Sequence, residues 1–457
     1  MLGRDVLVAV FGLWLVRFSA GGSARPPAPP IASYFGTKGR YEEVNPYLID
    51  DILSVNKSWS EPPSADCRPA HLTAVVRHGT RFPTAKNIRR IGRLHDAVLR
   101  HARSAHAWLD EIRAGWDMWY TEDMDGRLVE KGRDDHRHLA ARLATAFPAL
   151  ISRENLLGGR VAFVTSSKHR CVESVEAFQQ GLHGFLGVKE ISYRQTVNDK
   201  LMRFFDHCKN FIEGVEKNKT ALREVELFKS SAEMRNVQKR IADRLQVPHD
   251  YITPDLAEAA FFLCSYEFSI KSLNSPWCNL VDEADAQVLE YKNDLKQYWK
   301  RAYGHDVSRK SSCPLFHDLF RRLDQVVYDI RFGVVTDAVT IKVGHAETLL
   351  PLLSLLGFFR NDKHLTAMNF REQRQRAFRT SQIAPYAANL VFVLYECDDG
   401  VRLRFLLNER PLAFPDLSDP APLYQTVRDH YMRLLNGCDF QKECELPRGR
   451  GTTRSEL

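Results

Sequence analysis

The chain has 457 residues, 44% of them hydrophobic and 26% charged, a balance that excludes a disordered or collagen-like protein. That length fits one large domain carrying an insertion, or two domains. A formal net charge of +7 favours acidic partners; since no nucleic-acid-binding module is visible, a small polyphosphorylated molecule is favoured over nucleic acid.

The chain opens with Arg4 in a short polar stretch, followed by an apolar run over residues 6–16 and small residues at Gly22, Ser23 and Ala24. The run is too short to span a bilayer, so residues 1–24 read as a secretory signal peptide, with no stable membrane span expected after cleavage. A proline-rich stretch opens the lead-in segment, 25–66. Nine cysteines in a secretory chain imply disulfides with one sulfur left over. Asn56-Lys57-Ser58 and Asn218-Lys219-Thr220 are glycosylation sequons of the same compartment.

Residues 72–76 form a short apolar run, read as a buried strand, which empties into Arg77-His78-Gly79-Thr80-Arg81-Phe82-Pro83. Gly79 is expected to permit a tight turn beside the imidazole, and Pro83 to stiffen the exit. A neutral imidazole between two guanidinium groups suits attack on phosphorus, the arginines holding phosphoryl oxygens by charge-assisted hydrogen bonds. Residues 86–113 are basic and helix-compatible. Asp123-Met124-Asp125-Gly126 follows no apolar run and is read as a turn, not as a metal-binding loop. A helix after Gly132 carries Leu139, Leu143 and Phe147 on one face.

Two further apolar runs repeat the first arrangement. Residues 161–165 lead into Ser166-Ser167-Lys168-His169-Arg170 and a helix over 171–186. Residues 338–343 lead into Gly344-His345-Ala346-Glu347 and an apolar helix. An open parallel α/β sheet places its ligand at such strand exits. From 198 to 312 long helical stretches replace strands. Residues 390–395 and 401–407, joined through Asp398-Asp399-Gly400, read as a hairpin. The expected fold is therefore α/β, with a mostly parallel sheet flanked by helices over 67–197 and 313–437. A mainly helical cap is inserted at 198–312, and a tail follows at 438–457. The last residues, Arg454-Ser455-Glu456-Leu457, resemble an endoplasmic-reticulum retrieval signal with serine in place of an acidic residue. The expected location is the endoplasmic reticulum lumen, with secretion as the alternative.

Arg77-His78-Gly79-x-Arg81-x-Pro83 resembles the signature of the histidine acid phosphatases, and segments such as Tyr34-Phe35-Gly36-Thr37-Lys38 resemble their phytase-like second branch. The resemblance implies the histidine phosphatase fold and hydrolysis through a phosphohistidine on His78, with Arg77, Arg81 and Arg170 on the phosphoryl oxygens. It further implies His345 as a phosphate contact and Glu347 as proton donor, because His-Ala-Glu stands here where other relatives have His-Asp. The implied substrates are phytate and lower inositol polyphosphates, with 2,3-bisphosphoglycerate as a second. Thr84, Lys86, Lys168, Lys200 and Arg203 are the expected contacts to distal phosphates, and His169 a weaker one. Resemblance to fungal phytases pairs Cys67 with Cys397; Cys264 with Cys278 and Cys438 with Cys444 are expected as local loops, and Cys171, placed as a buried helix residue, is expected as the unpaired thiol. No His-Glu-x-x-His motif occurs, so activity without metal or other cofactor is expected. Two alternatives stand beside this reading: a general histidine acid phosphatase acting on phosphoproteins or small monoesters, and a non-catalytic lumenal binder of polyanions.

Overall fold

The computed structural model describes residues 28–189 and 191–446; the signal-like segment 1–24 and the retrieval-like residues 454–457 lie outside the described residues. Seven strands among these residues form one sheet: β1 (Arg68–Arg77), β2 (Val161–Thr165), β3 (Arg194–Val197), β4 (Val339–Gly344), β5 (Asn389–Cys397), β6 (Gly400–Leu407) and β7 (Arg410–Pro411). Their order is β3-β2-β4-β1-β5-β6-β7. The pairs β3/β2, β2/β4 and β4/β1 are parallel, and β5 to β7 extend the sheet antiparallel.

Register is what gathers the three expected loops. Arg77 pairs with Gly344 at one end of β4, and Thr165 pairs with Val343 beside it. The residues that follow, His78, His345 and Ser166, therefore leave the sheet side by side at its carboxyl edge, where a parallel sheet opens a crevice. Two backbone bonds continue past the strand ends and fix this exit: His78 N to Gly344 O at 2.9 Å and Ser166 N to Val343 O at 3.3 Å.

Both sheet faces are buried because side chains alternate along each strand. Leu72, Ala74 and Val76 of β1 join a core with helices α2 (Glu130–Ala146) and α3 (His169–Leu186), while Val75 faces the other way. Helix α1 (Ala85–His101) and the helices of the insertion cover that second face, chiefly α4 (Pro254–Lys271) and α5 (Glu283–Arg301). Helix α4 is apolar nearly all round and buried from Ala257 to Ser269, as a helix enclosed by others must be. Helices α6 (Cys313–Arg331) and α7 (Ala346–Leu355) complete this layer.

Two features differ from the sequence reading. Strand β3 has four exposed side chains and no apolar run; it exists through backbone pairing with β2, which periodicity cannot detect. The cysteines pair as Cys67–Cys397, Cys264–Cys278, Cys208–Cys444 and Cys313–Cys438, with Cys171 free and buried. Cys438 and Cys444 thus do not form the expected local loop. The short helix Phe440–Cys444 lies between them and docks on the insertion. Asn210 Nδ2 donates to Glu443 O at 3.0 Å, and Lys310 meets the Glu443 carboxylate at 2.9 Å. Each sulfur is thereby carried to a different, sequence-distant partner.

Candidate active site

The histidine loop is pressed against the start of α2. A Cβ on Gly79 would lie 2.0 Å from Gly132 O, and one on Gly132 would lie 2.0 Å from Thr80 O. Gly79 has no positive φ, so the glycine is required for space and not for the tight turn expected from the sequence. Asp135 of α2 then fixes the loop, accepting from Thr80 N at 2.9 Å and Thr80 Oγ1 at 2.7 Å. Lys131, paired with Asp135 and with Glu42 at 2.8 Å, ties that anchor to the lead-in segment. His136 Nε2 donates to Arg77 O at 3.1 Å. The Asp123–Gly126 turn also buttresses the loop: Asp125 caps Ala85 N at 2.9 Å, and Gly126 N donates to Pro83 O at 3.0 Å.

His78 is buried, and its Nδ1 lies 2.9 Å from Gly79 O. A carbonyl only accepts, so Nδ1 carries the proton and Nε2 keeps its lone pair. Burial lowers the imidazole well below its ordinary range, and Arg77, Arg170, His345 and Arg81 push it the same way. The ring is thus neutral and nucleophilic at any physiological pH. Tyr386 and His345 flank it, with ring centroids 6.2 and 5.6 Å away.

Three arginines face this histidine. Arg77 spends Nη1 on Thr37 O at 2.6 Å and Ala384 O at 2.7 Å, and lies 4.5 Å from the Tyr386 ring. Arg81 donates to Phe82 O at 2.7 Å and to the Tyr266 hydroxyl. Arg170, in the first turn of α3, reaches His345 Nδ1 at 3.4 Å. In each of the three, the buried Nε has no partner among the described residues. Unsatisfied buried donors are costly, and three guanidinium groups gathered around one histidine make an anion site.

His345 caps α7 and uses both ring nitrogens within the protein. Because Arg170 can only donate, Nδ1 accepts, and Nε2 donates to Ser166 Oγ at 3.0 Å. The ring is held neutral, lowered to about 3 by burial and then by Arg170. In this arrangement it orients Arg170. Glu347 stands in the first turn of α7, partly open to solvent. Burial would raise its carboxyl, but Arg301 foremost, then His345, its own backbone N–H and Arg77, hold it well below the carboxylate range.

The expected distal contacts divide. Arg203 lies close enough to act electrostatically on Arg170 and His345, although its guanidinium is paired with Asp206. Lys86, exposed in the first turn of α1, acts on Lys296 across the cleft. Lys168 caps α3 beside His169, which is half exposed and 3.9 Å from Glu173; neither has a bond to the arginine cluster. Lys200 is exposed on the helix Asp199–Met202 and Thr84 supplies the N-cap of α1, without a side-chain capping bond. Sequence reasoning missed Tyr266, Tyr386, Ser166, Lys38, Lys296 and Arg301. Arg301 is 7% exposed and stacked 4.8 and 5.0 Å from Phe205 and Phe211. The Lys292, Lys296, Lys300 spacing was visible as one helix stripe, but nothing in the sequence says which way that stripe faces.

A neutral histidine, three arginines and a carboxylate gathered at the carboxyl edge of a mixed sheet define a phosphoryl-transfer enzyme of the histidine type. The model of the histidine phosphatase superfamily (branch 2) matches residues 70–408, and the chain belongs to that family. Within it, the chain belongs with the multiple inositol polyphosphate phosphatases. It is 46% identical over 463 residues to multiple inositol polyphosphate phosphatase 1 of Homo sapiens, covering 96% of this chain and 94% of that one. It is also 46% identical over 435 residues to the Gallus gallus protein of the same name, covering 93% and 96%. The phytase from D. castellii shares the fold at a TM-score of 0.73 and 15% identity, covering 91% of this chain and 87% of that one. The Bifidobacterium longum multiple inositol polyphosphate phosphatase, crystallised with inositol hexasulfate, does so at 0.66 and 14%, covering 84% and 93%.

Proposed function

We propose that this chain is a phosphomonoesterase that removes phosphates from inositol polyphosphates, phytate and its lower products, through a phosphohistidine on His78. The observation that carries the reading is the pairing of a fixed Nδ1–H tautomer on His78 with three arginines gathered around that ring. One group attacks and three hold the charge that develops. The substrate class rests on the named relatives and on the surplus of cations around the hollow.

His78 Nε2 attacks phosphorus in line, and the phosphorus–oxygen ester bond breaks as the phosphorus–nitrogen bond forms. Arg77, Arg81 and Arg170 stabilise the three equatorial oxygens. The leaving alkoxide needs a proton, and Glu347 supplies it. Held ionised in the free protein by Arg301 and its neighbours, Glu347 is loaded by the substrate itself. Bound phosphate charge offsets those cations and raises the carboxyl. In the second step water attacks phosphorus, Glu347 takes its proton, and the phosphorus–nitrogen bond breaks, releasing phosphate and neutral His78.

A short pulse with radiolabelled phytate, quenched in alkali, should leave an acid-labile, base-stable label on the protein that His78→Ala abolishes. Phosphate release undiminished in His78→Ala would end the assignment. We extend the reading to 2,3-bisphosphoglycerate as a second substrate, tested by direct turnover. The lumenal or secreted location is supported by four disulfides and by Asn56 and Asn218, both exposed, each closing a turn onto its own sequon hydroxyl at 2.8 Å. Glycan removal and cell fractionation test it.

A further inference from the structure

Lys38 is drawn to the catalytic hollow by backbone bonds on either side of it. Thr37 O accepts from Arg77 Nη1 at 2.6 Å, and Gly39 O accepts from Tyr386 N at 3.1 Å. Arg77 and Tyr386 both border His78 (Tyr386 at 6.2 Å between rings), so the lead-in segment is built into the wall of the site. Lys38 O accepts from Ser269 Oγ at 2.6 Å, which fixes the same segment to α4.

The Lys38 side chain then crosses to α4, where Nζ lies 3.7 Å from the centroid of the Phe262 ring. Glu258, Phe262 and Tyr266 stand four residues apart and share one face of α4. At one end of this row, Glu258 is occupied by Arg90 at 3.0 Å and by Lys292. At the other end, Tyr266 binds Arg81. Lys38 thus sits over the row one helical turn, about 5.4 Å along the axis, from the residue that carries a catalytic arginine.

Among the described residues the Lys38 ammonium has no hydrogen bond and no ion pair; its one partner is the aromatic face. Burial lowers it to about 7, with Glu258 opposing and Lys296, Arg81 and Arg77 adding to the fall. Lys296 of α5 is also without a hydrogen bond or ion pair among the described residues. Cations grouped in this way without carboxylates of their own cost stability, and the cost is recovered when an anion sits between them.

We propose that Lys38 receives a second phosphate of the same substrate, next to the one held by Arg77, Arg81 and Arg170, and so sets a preference for neighbouring phosphates over single esters. This rests on the reading of the hollow as a phosphomonoesterase site acting on polyphosphates.

The test compares kcat/KM for phytate and for p-nitrophenyl phosphate in wild type, Lys38→Met and Lys38→Arg. Methionine keeps an unbranched stem on Phe262, and the backbone bonds of residues 37–39 are untouched. The phytate to p-nitrophenyl phosphate ratio should fall at least tenfold in Lys38→Met, chiefly through KM for phytate, and recover in Lys38→Arg. The ratio is taken within one preparation, so partial misfolding cancels. Parallel losses on both esters would make Lys38 a structural clamp and overturn the proposal. A wild type that prefers phytate, with a Lys38→Met variant that keeps the preference, overturns this proposal alone. A wild type with no preference for phytate overturns the substrate reading and this proposal with it.

Discussion

Replacing Gly79 by alanine tests whether the histidine loop is held by contact or merely lies near its helix. The added Cβ would meet Gly132 O at 2.0 Å and Gly132 Cα at 2.7 Å, all backbone atoms that no rotamer change relieves. Real Cβ contacts do not fall below 3.0 Å, so the loop and α2 must part by about 1 Å. His78 is the preceding residue, and its backbone is bonded to Gly344 O at 2.9 Å, so the shift is delivered to the nucleophile or strains that bond. A displacement of ~1 Å at a reacting group costs about a hundredfold in rate, and overpacking of this kind costs about 1–3 kcal/mol in stability. Steady-state hydrolysis of p-nitrophenyl phosphate, with a thermal melt of the same sample, reads both. Gly115→Ala is the control, since nothing lies within 4 Å of its added Cβ. A Gly79→Ala enzyme within threefold of wild-type kcat would refute the argument that this contact sets the position of His78.

Glu347→Gln should lower kcat about 10²- to 10⁴-fold on alkyl phosphates and far less on p-nitrophenyl phosphate, whose leaving group departs without a proton; equal losses on both would remove Glu347 as the acid. Stability should fall as pH drops from about 6.5 towards 4. His71 and His136 are lowered to about 4 and His345 to about 3, mainly by burial, so in that window the unfolded chain binds protons that the fold refuses. Each contributes up to about 1.4 kcal/mol per pH unit; a melting temperature unchanged between pH 7 and 5 would contradict the neutral, buried assignment. Cys444→Ser opens a link between residues 236 apart and should cost about 2–5 kcal/mol in denaturant unfolding, with little effect if the tail does not brace the insertion. Dialysis against a chelator should leave phosphate release intact, and restoration by magnesium after a full loss would reverse that expectation.

The letters of the chain determined more than its class. Three apolar runs, each ending in histidine, arginine or glutamate, already specify strands whose exits carry the chemistry, because hydrophobic period and strand-end polarity are local properties. His78, Arg77, Arg81, Arg170, His345 and Glu347 were legible for that reason, and the hairpin was marked by its Asp-Asp-Gly turn. Tertiary structure alone decided what depends on distance across the chain. Register between β1, β4 and β2 brought three loops side by side at one sheet edge. The tautomer of His78 followed from a carbonyl position, and the role of Gly79 from a helix 53 residues further on. Strand β3 has no apolar signature, so only its partner's edge could define it. Cys438 and Cys444 look like a local pair until the intervening helix docks and sends each sulfur to a remote partner. Lys38, Tyr266, Lys296 and Arg301 are ordinary residues in sequence, and they come near the catalytic loops only because helices α4 and α5 and residues 37–39 pack beside them.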